Sequence, residues 1–154
     1  MTDQLVAIQD HAGVPAPTAV HLTKIAVVIR DDLPVWQKLN MTAFLASGVA
    51  VSSPDAIGGD YTDADWTRYS PMFGQPVMVF TADKVRLART LERALSRGVV
   101  PVVFTTELFG TGNDDANRAA VAAVTRGHLD LADIAIRADR KTADKITAGL
   151  GLHA

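Results

Sequence analysis

The sequence predicts an α/β fold, a three-layer α/β/α sandwich built on a mostly parallel, mixed sheet of four strands. Three observations carry that expectation. Apolar runs rich in β-branched residues alternate along the chain with stretches of helical spacing, the order that gives parallel pairing through helical crossovers. The runs are continuously apolar, as in KIAVVIR from Lys24, which suits strands covered on both faces. The chain has 154 residues, the usual size of one domain with one core.

Residues 1–21 contain VPAPTAV, whose prolines disfavour regular structure and predict an N-terminal arm. A single α/β domain over 22–154 follows it. KIAVVIR is the first strand. Asp32 is the expected cap of a helix over 34–50, with Pro34 in its first turn. Residues 52–75, rich in Gly, Pro, Ser and Asp, predict a long loop. PVMVF is the second strand, and Thr81 and Asp83 are cap candidates for a helix that Gly98 stops. Val99 to Thr105 is the third strand. Asn113-Asp114-Asp115 starts a helix through Arg126, Leu131 to Arg137 is the fourth strand, and Thr142 to Ala148 a short last helix.

Composition excludes several classes. A formal charge of −2 argues against a protein that coats nucleic acid, since phosphate neutralisation needs a cationic excess. With no cysteine, disulfides, thiolate metal sites and a cysteine nucleophile are ruled out. The opening MTDQLVAIQDHAG does not read as a signal peptide. No apolar run approaches the roughly 18 residues of a membrane span, so a cytoplasmic setting is expected. His11, His21, His128 and His153 form no metal-binding pair at helical spacing. Neither a Walker loop, nor G-x-G-x-x-G, nor a G-x-S-x-G elbow is present. No metal and no cofactor are expected.

Three segments resemble one known family. KIAVVIRDDLPVWQKLNMTAFLASG, GGDYTDADWTRYSPM and ELFGTGNDDANRAAV look like a bacterial family of uncharacterised proteins, domain of unknown function number two thousand, over most of the chain after residue 23. The resemblance implies a fold similar to the type 2 peptidyl-tRNA hydrolases. VVIRDDL resembles the opening of those hydrolases, and ADKITAGLGL resembles their closing helix. Their chemistry is not implied. Their glycine-lysine pair has no match, the nearest lysine being Lys38 after Gln37, and Val103-Phe104-Thr105-Thr106 stands where they carry an Asp-Ala-Gly turn.

Four groups of residues are candidates for function. The strand-to-helix turn offers Arg30, Asp32, Trp36, Lys38 and Asn40 to an anion or small molecule beyond the strand ends. A solvated Lys38 and a capping Asp32 are the plain alternative. Thr105, Thr106 and Glu107 should emerge on the same sheet edge, where hydroxyls, a carboxylate and Lys38 would serve acid–base work; strand geometry alone also favours threonine. In the long loop, Tyr61, Trp66, Tyr69 and Phe73 lie among Asp60, Asp63 and Asp65, as a lid, a partner surface or a staple onto the core. Their carboxylate spacing misses the calcium-loop pattern. Arg86, Arg89, Arg93 and Arg97 fall on one side of the second helix, to meet phosphates or to cover hydrocarbon with their stems.

Two functions are expected. The first is a module that binds an unidentified small molecule, an anion or a protein partner, with Arg30, Asp32, Trp36, Trp66 and Tyr69 as contacts. The second is a hydrolase or transferase acting on an ester or amide, with Lys38, Asn40, Thr105 and Thr106 as its catalytic groups. A homodimer fits either.

Overall fold

The computed structural model describes residues 21–154. Apart from His21, the predicted arm lies outside them. Strand β1 (Thr23–Arg30) is buried without alternation from Ile25 to Arg30, as its continuous apolar text requires. It pairs on one side with β4 (Val77–Ala82), in parallel, and on the other with β6 (Leu131–Asp139), antiparallel. The edges are β5 (Val102–Thr105), antiparallel to β6, and β7 (Gly151–Leu152), antiparallel to β4. The order is β5-β6-β1-β4-β7.

The predicted sheet is corrected in two respects. It has five strands rather than four, and only one of its four pairings is parallel. The physical reason lies in α3 (Asp114–Ala122). That helix has no fully buried residue and packs on the 3₁₀ turn Thr106–Gly110 instead of covering the sheet. It is therefore not a crossover, and the chain returns beside β5 in the opposite direction.

Helices cover both faces. On one side α1 (Val35–Ser52) sets Met41, Leu45 and Val49 against Ile25, Val27, Ile29, Phe104 and Ala135. Gly48 lets α1 approach β5 closely: a Cβ there would lie 2.6 Å from Val102 Cγ1. On the other side α2 (Lys84–Leu95) and α4 (Arg140–Ile146) bury Leu87, Leu91, Ala94, Ala143 and Ile146 against Ala26, Val28, Ile134 and Ile136. Among the described residues no helix is long and apolar enough to cross a membrane.

Side chains cap three helices of four, at Asp83 and Asn113 as the sequence predicts and at Asp139, which starts the last helix at Arg140, two residues before the predicted Thr142. Asp83, Asn113 and Asp139 accept backbone N–H bonds from Arg86, Ala116 and Thr142 at 2.7, 2.8 and 2.9 Å. Helix α1 differs: Pro34 occupies its cap position without a side-chain bond, and Asp32 turns to Arg30 instead. Asp83→Ala should lower stability by about 1 kcal/mol in urea unfolding, with Asp83→Ser close to the parent. A loss below a few tenths would show that tertiary packing alone sets the start of α2.

The loop after α1 holds a small hairpin, β2 (Tyr61–Thr62) with β3 (Arg68–Tyr69). Asp63 organises its turn, accepting from Asp65 N and Thr67 N at 2.9 Å each and from the Tyr69 hydroxyl at 2.8 Å. Trp66 sits there with φ +64° and 87% exposure. The base of the hairpin loop is closed by Gly58 N to the Met72 carbonyl and Gly74 N to the Ala56 carbonyl, both 2.8 Å. It is tied to the N-terminal edge of β1 through Gln75 with Thr23 and Asp55 with Arg137, the partner of Ile25.

Candidate functional site

At the opposite edge, where β1 and β5 end, charged groups converge on Asp130. Its Oδ1 accepts from Arg30 Nη1 at 2.9 Å and lies 2.9 Å from Lys84 Nζ, while Oδ2 accepts from the Thr106 hydroxyl at 2.6 Å. Arg30 also donates through Nε to Asp32 at 2.6 Å and through Nη1 to the Leu131 carbonyl at 3.1 Å. The bond from Lys84, then that from Thr106, with the charges of Lys84 and Arg30, holds the Asp130 carboxyl below its usual range. An acid stabilised in this way is a weak base, so it does little to activate the Thr106 hydroxyl. Thr105 is 1% exposed and its hydroxyl has no partner among the described residues.

A cleft of about 440 Å³ opens beside this edge, between α1 and the segment from β5 to α3. Trp36, Asn40 and Phe44 stand at four-residue steps along α1 and form one wall. Phe104 is the floor. Leu108 and Phe109 of the 3₁₀ turn, then Thr111 to Asp114 and Asn117, close the far side. Four rings make a continuous surface: Trp36 meets Phe109 edge-on at 5.7 Å, Phe109 lies 4.8 Å from Phe104, and Phe104 lies 5.8 Å from Phe44. Three side-chain amides share the cleft with them, Asn113 and Asn117 on the far side and Asn40 between Trp36 and Phe44 on α1. Asn113 has its oxygen committed to the α3 cap. Asn117 bonds Thr111, whose hydroxyl also donates to the Leu108 carbonyl at 3.0 Å. Asn40 bonds no described residue and keeps both a donor and an acceptor available.

A second groove, about 550 Å³, runs along the other flank of α1, lined by Ile29, Val35, Leu39, Thr42 and Val79 with Lys38 and His153. Lys38 Nζ donates to the Asp31 carbonyl at 2.9 Å and lies 3.4 Å from His153 Nε2. The sheet between the cleft and the groove contains Asp133, fully buried, opposite Phe104 on β5 and Ile29 on β1. Its Oδ1 accepts the Ile134 N–H at 2.7 Å and its Oδ2 has no partner among the described residues. Burial pushes its pKa up to about 9, against a small opposing effect of that bond. The carboxyl is therefore neutral at pH 7.

The residues expected from sequence are thus divided. Trp36 and Asn40 share the aromatic cleft. Lys38 faces the second groove, while Arg30, Asp32 and Thr106 belong to the Asp130 cluster. Trp66 and Tyr69 lie on the hairpin at the opposite edge of the sheet. Lys38, Asn40 and Thr106 line no common cavity. Phe104, Phe109, Asn117 and Asp133 are not among the site candidates of the sequence, and Asn113 stands there only as a helix start. Among the described residues no group of three or more His, Asp or Glu is placed to hold a metal ion.

Fold and site together define a small α/β protein with a mixed five-stranded sheet and an aromatic cleft beside its first helix. The chain belongs to the family described as "Protein of unknown function (DUF2000)", whose model matches residues 23–154. Among solved structures it is similar to a protein of unknown function from Agrobacterium tumefaciens strain C58. The two share 42% identity over 88% of this chain and 100% of that one, with a TM-score of 0.85. No curated protein matches the chain.

Proposed function

We propose that the protein binds a small, planar, uncharged molecule in the cleft between α1 and the β5–α3 segment. One observation carries the proposal: four contiguous rings and three side-chain amides line one cavity of about 440 Å³. That volume falls in the range of roughly 300–1,000 Å³ usual for small-molecule sites. Rings supply stacking area, amides supply both donors and acceptors, and the one acid of the lining, Asp114, is paired with Arg118 at 2.6 Å. The relationship to the type 2 peptidyl-tRNA hydrolases belongs to the same proposal and rests on two sequence echoes, VVIRDDL in β1 and its turn, and ADKITAGLGL over α4 and β7.

Tryptophan fluorescence tests the site. A Trp66→Phe variant keeps Trp36 as its one tryptophan, because the chain has two. Benzamide and nicotinamide should change that emission saturably. Asn40→Ala should weaken both roughly fivefold, the effect of one hydrogen bond worth about 1 kcal/mol. No saturable change at Trp36 with either amide would overturn the assignment.

A hydrolase or transferase acting on an ester or amide is the second reading. The 2.6 Å bond from Thr106 to Asp130 favours it. The weak basicity of Asp130 and the separation of Lys38, Asn40 and Thr106 count against it.

A further inference from the structure

The α2–α4 side of the sheet, away from the aromatic cleft, carries the arginines that the sequence places in a row. Arg86, Arg89 and Arg93 line a cavity of about 180 Å³ whose other wall is Ala148, Gly149 and Leu150, the turn that follows α4. Arg86 and Arg89 are exposed and Arg93 is half-buried. Arg97, one turn further on, bonds the Arg93 carbonyl and Ser96 and stays outside the cavity.

No carboxylate among the described residues lines this cavity. Glu92, the one acid within α2, points to Arg126 at 3.1 Å. Asp83 gives one oxygen to the α2 cap, and its other lies 3.7 Å from Arg86 Nε, at the long end of an ion pair. Arg93 donates to the Ala148 carbonyl at 2.8 Å, a neutral acceptor that fixes the guanidinium without cancelling its charge. Arg89 has no ion pair and no hydrogen bond with a described residue. Three cations therefore stand around one hollow with almost no internal counter-charge. Their mutual repulsion falls when an anion enters.

Guanidinium forks match the oxygens of a phosphoryl group, and such bonds are among the stronger ones available to a partly exposed site. The hollow is too small for a whole ligand, which needs roughly 300 Å³ or more, and suits one tetrahedral anionic group with its ester substituent outside. A nucleic-acid backbone would need several phosphates met in series along an extended basic surface. Here the basic face is one hollow deep, flanked by the Glu92–Arg126 pair, on a chain of charge −2. We propose that this cavity is a phosphate-monoester site. It seats the phosphoryl group of a small phosphorylated metabolite against Arg86 and Arg89, with Arg93 as the fixed third cation.

Calorimetry on the full chain tests it, with inorganic phosphate and glucose 6-phosphate as probes and glucose and ionic-strength-matched sodium chloride as controls. Saturable binding of both phosphates is expected, with none of glucose and none with chloride. Arg89→Gln should weaken phosphate binding about tenfold, and Arg86→Gln with Arg89→Gln about a hundredfold, while thermal unfolding stays at the parent temperature because both side chains are exposed. Heats equal to those of chloride would overturn the proposal, as would affinity untouched by either variant. Tight binding of a single-stranded RNA oligomer without binding of the two phosphates would also overturn it and assign the face to nucleic acid. Binding of benzamide at Trp36 is read independently, so the two proposed sites stand or fall separately.

Discussion

Asp133→Asn is expected to leave the protein more stable than the parent by about 3 kcal/mol at pH 7 and slightly less stable near pH 4. The sign follows from the direction of the shift. Burial raises the folded-state pKa to about 9, whereas an unfolded aspartate titrates near about 3.9. Between those values the folded state holds a proton that the unfolded chain has released, so stability falls as pH rises, by about 1.4 kcal/mol per unit. By pH 7 the carboxyl has lost roughly 4 kcal/mol relative to its contribution at pH 4. Asparagine does not titrate. It keeps an oxygen for the Ile134 N–H and presents an extra unpaired donor, at a cost of about 1 kcal/mol. The two stability curves therefore cross between about pH 4 and pH 6 and diverge up to about pH 9. Urea unfolding across that range reads the effect. Parallel curves would show that Asp133 titrates normally and is not sealed from water. The lowered carboxyls of Asp55, Asp63, Asp130 and Asp139 do not confuse the window. Their stabilising effect is present above the unfolded carboxylate pKa and fades as pH falls below it.

Asp133 also shows where the sequence was legible and where it was not. Strand β6 could be read from its apolar text, and a lone acid inside LADIAIR was the available signal of a buried carboxyl. The run around the acid suits a strand whatever that residue is, so the text does not set Asp133 apart. Strand β1 and the caps Asp83 and Asn113 were legible because each depends on local chemistry: continuous apolar residues, or a short acceptor before a helix. Strand direction was not legible. It turned on α3, whose acidic start and alanine-rich body are compatible with lying on the sheet or standing clear of it. Edge strand β7, two residues long, has too little text to declare itself.

The cleft was half legible for a related reason. Trp36, Asn40 and Phe44 share a face of α1 through their spacing, and two of them were picked out. Phe104 had the look of ordinary strand core, and Phe109 lies five residues later in text without a clear period. The 3₁₀ turn Thr106–Gly110 brings those two rings to 4.8 Å, and nothing in TTELFG announces that turn. Asn113 and Asn117, four residues apart at the start of α3, carried a usable signal: a capping amide and a second amide on the same side. Convergence of Arg30 with Thr106 on one edge was foreseeable, but their meeting at Asp130 was not, because Asp130 follows a turn that the sequence leaves open.

Arg30→Ala is expected to cost about 3 kcal/mol at pH 7, because this side chain braces the ends of β1 and β6 just beyond the last pair of their ladder, Ile29 with Asp133. Arg30 is 8% exposed. It ties the end of β1 to Asp32 in the following turn, and to Asp130 and the Leu131 carbonyl at the start of β6. A hydrogen bond to a charged group is worth about 1.5–3 kcal/mol, and removing one partner strands the other. Asp130 is partly exposed, with 32% of its side-chain surface accessible, and keeps Lys84 and Thr106, so water and those partners soften the loss below that of a fully buried pair. Arg30→Lys keeps a charge without the fork and should recover less than half of the loss. Asp130→Asn, alone and combined with Arg30→Ala, completes a cycle whose coupling should be about 1–2 kcal/mol. Acid unfolding supplies an independent reading. Lys84, Thr106 and Arg30 all lower the Asp130 pKa, so its stabilising effect is present above the unfolded carboxylate pKa and is lost as pH falls through the lower folded value. Without Arg30 that folded value rises and the acid-side loss begins at higher pH. A cost below about 1 kcal/mol, with an unmoved acid limb, would mean that the guanidinium is dispensable to the fold and free for a ligand at the strand ends.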